Sequence, residues 1–318
     1  MRVYNEKKII AGLIIIVIGS MLLGSAGYVL EYKFGFLKSG NKIVQENNNS
    51  SNDNFNINTT KEYSSGIIKT INVETVSTDI NIIPTKEDKV KIHFYGNTNA
   101  KNAASYVESK VNGDSLDVLI KYPFNILSIG ANTKTNLDIY VPEKYKNNLE
   151  IKTTSGGTII GNLQLDTFKF DSISGDAKIN TLTANDTYFE STSGKLDIKS
   201  LLSKKNEFRT TSGDTTIENI TGDIFGKSIS GSFMFEYTDF NNNIDVNTIS
   251  GDMELAVPKK SEFKLDFNST SGNLKNDFSI TLLGDSDKHE IIGNVGNGDK
   301  TIKIKTTSGN ATINSLGE

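Results

Sequence analysis

The chain has 318 residues, enough for one large domain or two ordinary ones, with 34 basic and 38 acidic residues and a net charge of -4. That balance excludes the basic field through which nucleic-acid binding releases phosphate counterions, so no nucleic-acid partner is expected. The absence of cysteine excludes a disulfide framework, a thiolate metal site, a cysteine nucleophile and a lipid-modified cysteine anchor.

Residues 1–8, MRVYNEKK, form a short basic tail. Residues 9–30, IIAGLIIIVIGSMLLGSAGYVL, carry no charge. As a helix they would span about 33 Å, roughly one hydrocarbon core. The stretch predicts a transmembrane helix acting as a signal anchor. A cleaved signal peptide is the alternative, with Ser25, Ala26 and Gly27 at small-residue cleavage positions. Arg2, Lys7 and Lys8 precede the span and Lys33, Lys38 and Lys42 follow it, so the flanking charges do not decide orientation. The export-type β domain downstream and the basic tail favour a cytoplasmic N-terminus and an extracytoplasmic C-terminal domain at the cell membrane.

Residues 31–62 are polar and Asn-rich, as in QENNNSSNDNFNINTTKE. They cannot bury enough apolar surface to offset chain ordering, and they predict a flexible linker with a reach of about 30 Å. Residues 63–318 then predict one β domain. INVETVSTDINIIP, KVKIHFYGN, SLDVLIKYP and NLDIYVP are its first strands, serving as a cap and opening coils.

From residue 155 onward eight Ser-Gly pairs recur, with successive serines 19, 19, 19, 18, 20, 21 and 37 residues apart. The last gap is about two periods and predicts one rung without the motif. Two residues before each serine stand Thr153, Ser172, Ser191, Thr210, Ser228, Thr248, Ser269 and Thr306. Four before stand Ile151, Phe170, Phe189, Phe208, Gly226, Val246, Phe267 and Ile304; five after, Ile160, Ile179, Ile198, Ile217, Phe235, Leu255, Asn276 and Ile313.

Polar residues alternate with these, so each side of the Ser-Gly corner is a strand with one buried face. Rungs of about 19 residues are too short for a strand–helix–strand unit. They predict an all-β solenoid in which equivalent corners superpose. Phe170, Phe189 and Phe208 should form an aromatic column, the Ser/Thr residues a hydrogen-bonded ladder along the stack, and glycine a positive-φ corner or a bulge.

The order Ser77-Thr78-Asp79-Ile80, then LDIYVPEKYKNNLEIKTTSGG, then serial TSGD-type rungs, then ELAVPKKSEFKLDFNSTSGN resembles the "putative adhesin" β-strand-repeat family of bacteria. That family includes LiaG-like membrane-anchored proteins of Gram-positive envelope-stress operons. The resemblance spans roughly residues 64–318. It implies a right-handed β-helix-like domain outside the cell and no established enzyme activity, so it transfers no catalytic, cofactor-binding or metal residues.

The residues themselves agree. Eight equivalent serines cannot share two histidines as general bases. His93 on a strand and His289 in a loop read as surface residues. Asp176, Asp214 and Asp252, after the Ser-Gly pair, could suggest calcium or an acid–base pair, but other rungs carry Gly157, Lys195, Ser232, Asn273 and Asn310 there. That mixture reads as solvated turn residues. Ile159 and Met234 stand where other rungs are polar, and packing under a loop is the expectation for both.

The expected function is a non-catalytic membrane-anchored envelope protein binding cell wall, surface glycan or a membrane-protein partner. The alternatives are a polysaccharide-cleaving or calcium-dependent β-helix and a scaffold whose open end pairs with another protein.

Overall fold

The structure, a computed structural model, describes residues 55–98, 106–121, 133–284 and 287–317. The spans 1–8 and 9–30, and the linker up to residue 54, lie outside them. Among the described residues no helix is long and apolar enough to cross a membrane. Their 24 strands, β1–β24 in chain order, form one continuous hydrogen-bonded sheet folded into two faces.

The first face runs, strand by neighbouring strand, β5 (Val107–Asn112), β6 (Ser115–Ile120), β2 (Thr70–Thr75), β8 (Asn148–Thr153), β10 (Thr167–Ser172), β12 (Asp186–Ser191), the second half of β13 (Leu196–Thr210), β15 (Ile220–Ser228), β17 (Ile244–Thr248), β23 (Thr301–Thr306), β19 (Phe263–Ser269), β22 (Glu290–Val295) and β21 (Thr281–Leu282).

The second face runs β1 (Phe55–Ser64), β4 (Lys89–Thr98), β7 (Thr133–Pro142), β3 (Asp79–Thr85), β9 (Thr158–Gln164), β11 (Ala177–Thr183), the first half of β13, β14 (Thr215–Ile217), β16 (Phe233–Glu236), β18 (Met253–Pro258), β24 (Ala311–Leu316) and β20 (Leu274–Asn276). All rung-to-rung pairings are parallel, and antiparallel pairs sit only at the ends. This is the solenoid that the spacing predicts.

The core lies between the faces, as the period-two pattern requires. Ile160, Ile179, Ile198 and Ile217 pair in register and are buried, and Ile151, Phe170, Phe189 and Phe208 do the same opposite them. The rings of Phe189 and Phe208 stack 5.3 Å apart at 9°. Gly226 interrupts the column. Phe233, from three residues after the next corner serine, fills that space: a Cβ on Gly226 would meet its ring at 3.4 Å.

Two expectations change. The linker expected over 31–62 ends earlier, because residues 55–62 belong to β1. Composition hides this strand, since its stability comes from ten register pairs with β4 and from buried Ile57, not from apolar content. The 37-residue gap does not hide a lost rung. After β20 the chain returns as β22, antiparallel beside β19, and then inserts β23 and β24 between β17–β18 and β19–β20. The C-terminal ATINSL strand is therefore internal. The physical end is β20 with the β21–β22 hairpin. The insertion mirrors the opening, where β6 and β7 lie outside β2 and β3 although they follow them in sequence.

Edges are managed at the opening end. Lys61 Nζ and the Tyr63 hydroxyl, both from β1, donate to the carbonyls of Val107 and Ser109 on edge strand β5, at 3.2 and 2.8 Å.

Candidate functional site

The sequence places its reactive-looking groups at the corners. Each corner glycine sits against the carbonyl of the rung before it. A Cβ on Gly194 would lie 2.1 Å from Gly175 O, on Gly213 2.0 Å from Gly194 O, and on Gly231 2.1 Å from Gly213 O. None of these is among the positive-φ glycines, which are Gly96, Gly113, Gly222, Gly284 and Gly296. Close backbone approach, not left-handed geometry or a bulge, demands glycine. At the Ser77-Thr78 corner a side chain stands where the later corners have glycine, and the Thr78 hydroxyl bonds the Thr135 hydroxyl at 3.0 Å.

The expected Ser/Thr ladder is mostly a local closure instead. The hydroxyls of Ser172, Ser191, Thr210 and Thr248 donate to the carbonyls of Gly175, Gly194, Gly213 and Gly251, three residues on, at 2.8–3.0 Å. Thr248 and Thr306 also bond along the stack at 3.0 Å. The Ser-Gly serines bind neighbouring rungs: Ser174 and Ser271 hydroxyls donate to Thr154 O and Thr307 O. One histidine, His289, stands near a Ser-Gly serine, Ser271, but its ring bonds a backbone carbonyl and not the hydroxyl. His93 is half-buried, hydrogen-bonded to Asn58 Oδ1 and stacked on Tyr95, and His289 bonds Gly272 O.

The residues after Ser-Gly are not free turn residues. Asp79, Asp176, Asp214 and Asp252 each accept, through Oδ1, the backbone N–H of the next rung: Gly157, Lys195, Ser232 and Asn310, at 2.7–2.9 Å. Ser232 and Asn310 do likewise for Asp252 and Asn273. Gly157 and Lys195 have no side-chain acceptor, which explains the mixed column. No group of three or more His, Cys, Asp or Glu among the described residues is arranged to hold a metal. Asp214→Ala should cost about 1 kcal/mol, the net value of one hydrogen bond. Asp214→Asn, which keeps the acceptor, should unfold in urea with the wild-type midpoint, and added calcium should shift neither variant.

Ile159 and Met234 are 58% and 47% exposed, so neither packs under a loop. They share one outward column but are separated by Lys178, Asp197 and Thr216, and form no patch.

The outward side of the first face is more structured. An open groove of about 370 Å³ lies across β12, β13, β15, β17 and β23. One register column there reads Tyr188, Glu207, Phe225, Asp245, Lys303. Lys205, Asp223, Asn243 and Thr301 line the adjacent column. The groove occurs where the ladder is irregular: the register slips between Leu202 and Lys205, and β15 spans this stretch with one residue fewer. Buried Asn206 fixes the slip. Its Oδ1 accepts from Thr187 and Ser203, and its Nδ2 donates to Thr221 O at 2.9 Å. Gly222 (φ 89°) allows the crossing, and buried Tyr237 donates its hydroxyl to Gly222 O at 2.7 Å. A satisfied buried network of this kind holds one geometry.

The groove carboxylates all have partners. Glu207 accepts from Arg209, Asp245 from Asn247 at 2.8 Å, and Asp223 from Asn243 N at 2.8 Å. Lys169 lies over the Tyr188 ring at 5.6 Å and Lys227 over Phe225 at 4.9 Å. Such a surface suits hydrogen bonding and stacking more than proton transfer. Tyr188 and Phe225 are not singled out in the sequence reading, although both stand five residues before a corner serine.

Beside the groove runs a second charged column: Glu74, Lys152, Asp171, Glu190 and Arg209. Burial raises the half-buried Asp171 carboxyl to about 6; Lys152 opposes this, while Glu190 and Glu150 add to it. The folded chain therefore holds this proton more tightly than the unfolded chain, whose aspartates titrate near 3.9. Between about pH 4 and 6 the folded state binds the extra proton, and this group's stabilisation is lost as pH rises through that window. Asp171→Asn should remove that part of the slope in urea midpoints measured from pH 4 to 7.

No curated protein matches this chain. Among solved structures, a "putative adhesin" from Bacteroides fragilis NCTC 9343 is 14% identical, with coverage of 84% of this chain and 98% of that chain and a TM-score of 0.49. A "putative adhesin" from Parabacteroides merdae ATCC 43184 is 14% identical, with 82% and 97% covered and a TM-score of 0.42. A "Putative lipid binding protein" from Parabacteroides distasonis ATCC 8503 is 14% identical, with 82% and 97% covered and a TM-score of 0.44. The Toastrack DUF4097 family model matches residues 68–314, most of the chain, and this protein belongs to that family.

Proposed function

We propose that this protein is a non-catalytic binding module of the Gram-positive cell envelope. Residues 1–8 are its cytoplasmic tail and 9–30 its signal anchor. A polar tether follows, and the solenoid, right-handed, stands outside the membrane. Its partner is cell wall, a surface glycan or a membrane protein.

One observation carries the reading. The corner serines and aspartates, the groups with the look of chemistry, are engaged in holding rung to rung, and the groove left open on the stack is lined by aromatic, amide and paired charged groups. The uncharged run at 9–30 supports the anchored topology. A second reading, docking of a membrane-protein partner on the solenoid end, is favoured by Leu282, Leu283 and Ile292, which are 54%, 50% and 40% exposed beside one another on β21 and β22.

The test is co-sedimentation of the full-length chain, in detergent, with isolated cell walls. Saturable binding is the expected result. Failure to sediment at high protein concentration overturns the wall-binding reading and leaves the membrane-protein partner to be sought by cross-linking. Protease added outside intact cells should release the solenoid, and full protection would overturn the topology.

A further inference from the structure

We propose that the groove on the first face is a subsite for an extended, uncharged, β-1,4-linked glycan lying along the stack, with Tyr188 and Phe225 as its two platforms. The inference rests on the binding-module reading and names the ligand class of that site.

The rung spacing acts as a ruler. Tyr188 pairs with Glu207 and Glu207 with Phe225, so the two rings stand two strands apart in one column. At about 4.8 Å per strand the separation is about 9.6 Å. This is close to the two-sugar repeat of an extended β-1,4-linked chain. Such a chain presents the same sugar face at that interval and would meet both rings in the same way. The spacing is also fixed: it is set by backbone hydrogen bonds, and the slip that opens the groove is locked by Asn206 and Tyr237. Preorganisation of this kind lowers the entropy lost on binding.

The rings reach solvent. Tyr188 is 40% exposed and Phe225 half-buried. The lysines over them, Lys169 and Lys227, are exposed, and cation–π contacts are weak at exposed sites, so the C–H face of a sugar can replace them.

The polar groups fit hydroxyls. Glu207 lies between the two rings, and Asp223 and Asn243 flank it in the adjacent column. Charge argues for an uncharged polymer. Three carboxylates and two lysines line the groove, and Glu207 is already paired with Arg209. A polyanion would meet the carboxylates without a compensating basic cluster.

The test titrates the full-length chain, in a sugar-free detergent, with the hexamer and the dimer of β-1,4-linked N-acetylglucosamine, followed by calorimetry. The hexamer should bind saturably and at least about tenfold more tightly than the dimer, which cannot reach both rings. Tyr188→Ala and Phe225→Ala should each weaken the hexamer about tenfold or more, equivalent to about 1.4 kcal/mol. Tyr188→Phe should keep binding within about twofold, and Met234→Ala, on the second face, should not change it. Unshifted melting transitions confirm that the variants fold. Absence of hexamer binding, or binding unaffected by both aromatic substitutions, overturns the proposal. If walls still sediment the protein in that case, the groove assignment fails while the wall-binding reading stands. If walls do not bind either, both fail.

Discussion

Gly156→Ala is expected to abolish cooperative unfolding of the domain, while Gly157→Ala, one residue later, is expected to leave the midpoint at the wild-type value. The two glycines sit side by side in the TTSGG corner, and propensity alone would treat them alike. The structure separates them. A Cβ on Gly156 would lie 2.0 Å from Thr78 O and 2.7 Å from Thr78 C, both backbone atoms of the adjacent rung. A Cβ on Gly157 would meet only Asp79 Oδ1, at 3.4 Å, an ordinary contact. Gly157 N donates to that same oxygen at 2.9 Å, and an alanine keeps its N–H.

Relief at Gly156 would require moving one rung from the next. The parallel pairs of β3 with β9 and of β2 with β8 would then open together, since both strands leave the same corner. Core overpacking typically costs about 1–3 kcal/mol where side chains can shift, and occasionally more. A clash with backbone lacks that relief, and the expected cost exceeds about 3 kcal/mol, a large share of a domain's marginal stability. Urea denaturation followed by circular dichroism reads both variants. A Gly156→Ala protein with the wild-type midpoint would refute the close-packing account of the repeat.

The three 19-residue intervals from Ser155 to Ser212 correspond to rungs that stack without interruption, and the buried Ile column appears where alternation puts it. The reason for glycine was not readable. Ser-Gly spacing says that corners coincide, but not that one corner's carbonyl occupies the place of the next corner's side chain. The 37-residue gap was misleading for a topological reason: periodicity assumes that chain order is stacking order. β23 and β24 break that assumption by entering between rungs already laid down. Strand β1 was missed because pairing with an exposed edge needs little apolar content.

The groove was half visible. Five residues before each corner serine stand Glu150, Lys169, Tyr188, Glu207, Phe225, Asp245, Asp266 and Lys303, which is the outward column in chain order. The aromatic pair is thus legible in the repeat itself, at a position where the other rungs are charged. The 18-residue interval from Ser212 to Ser230 was the second signal, because the missing residue is the register slip that shapes the site.

Phe208→Ala tests the core from the same rung that builds the groove. Phe208 is 1% exposed and lies at the centre of an aromatic cluster. Its ring is 5.3 Å from Phe189, 5.3 Å from Phe235 and 6.5 Å from Phe233, so it bridges the two faces as well as successive rungs. The site has little capacity to collapse. On one side the column ends at Gly226, whose missing side chain is already replaced by Phe233, and a Cβ there would touch Val246 at 3.0 Å. Truncation therefore leaves a void bounded by large rings, at an expected cost of about 3–5 kcal/mol.

In a stacked-repeat protein that loss falls on the coupling between neighbouring rungs. The rungs of β8 to β12 and those of β17 to β24 should then unfold as separate units. The urea transition should move to lower concentration and also broaden, with a smaller m-value than the wild type. Phe208→Leu, which fills most of the volume, should shift the midpoint less and keep the transition single. Tyr188→Ala, one strand away but pointing outward, should leave both midpoint and m-value unchanged. A Phe208→Ala transition as sharp as the wild type would show that the faces are coupled elsewhere, through the corner bonds and not the aromatic column.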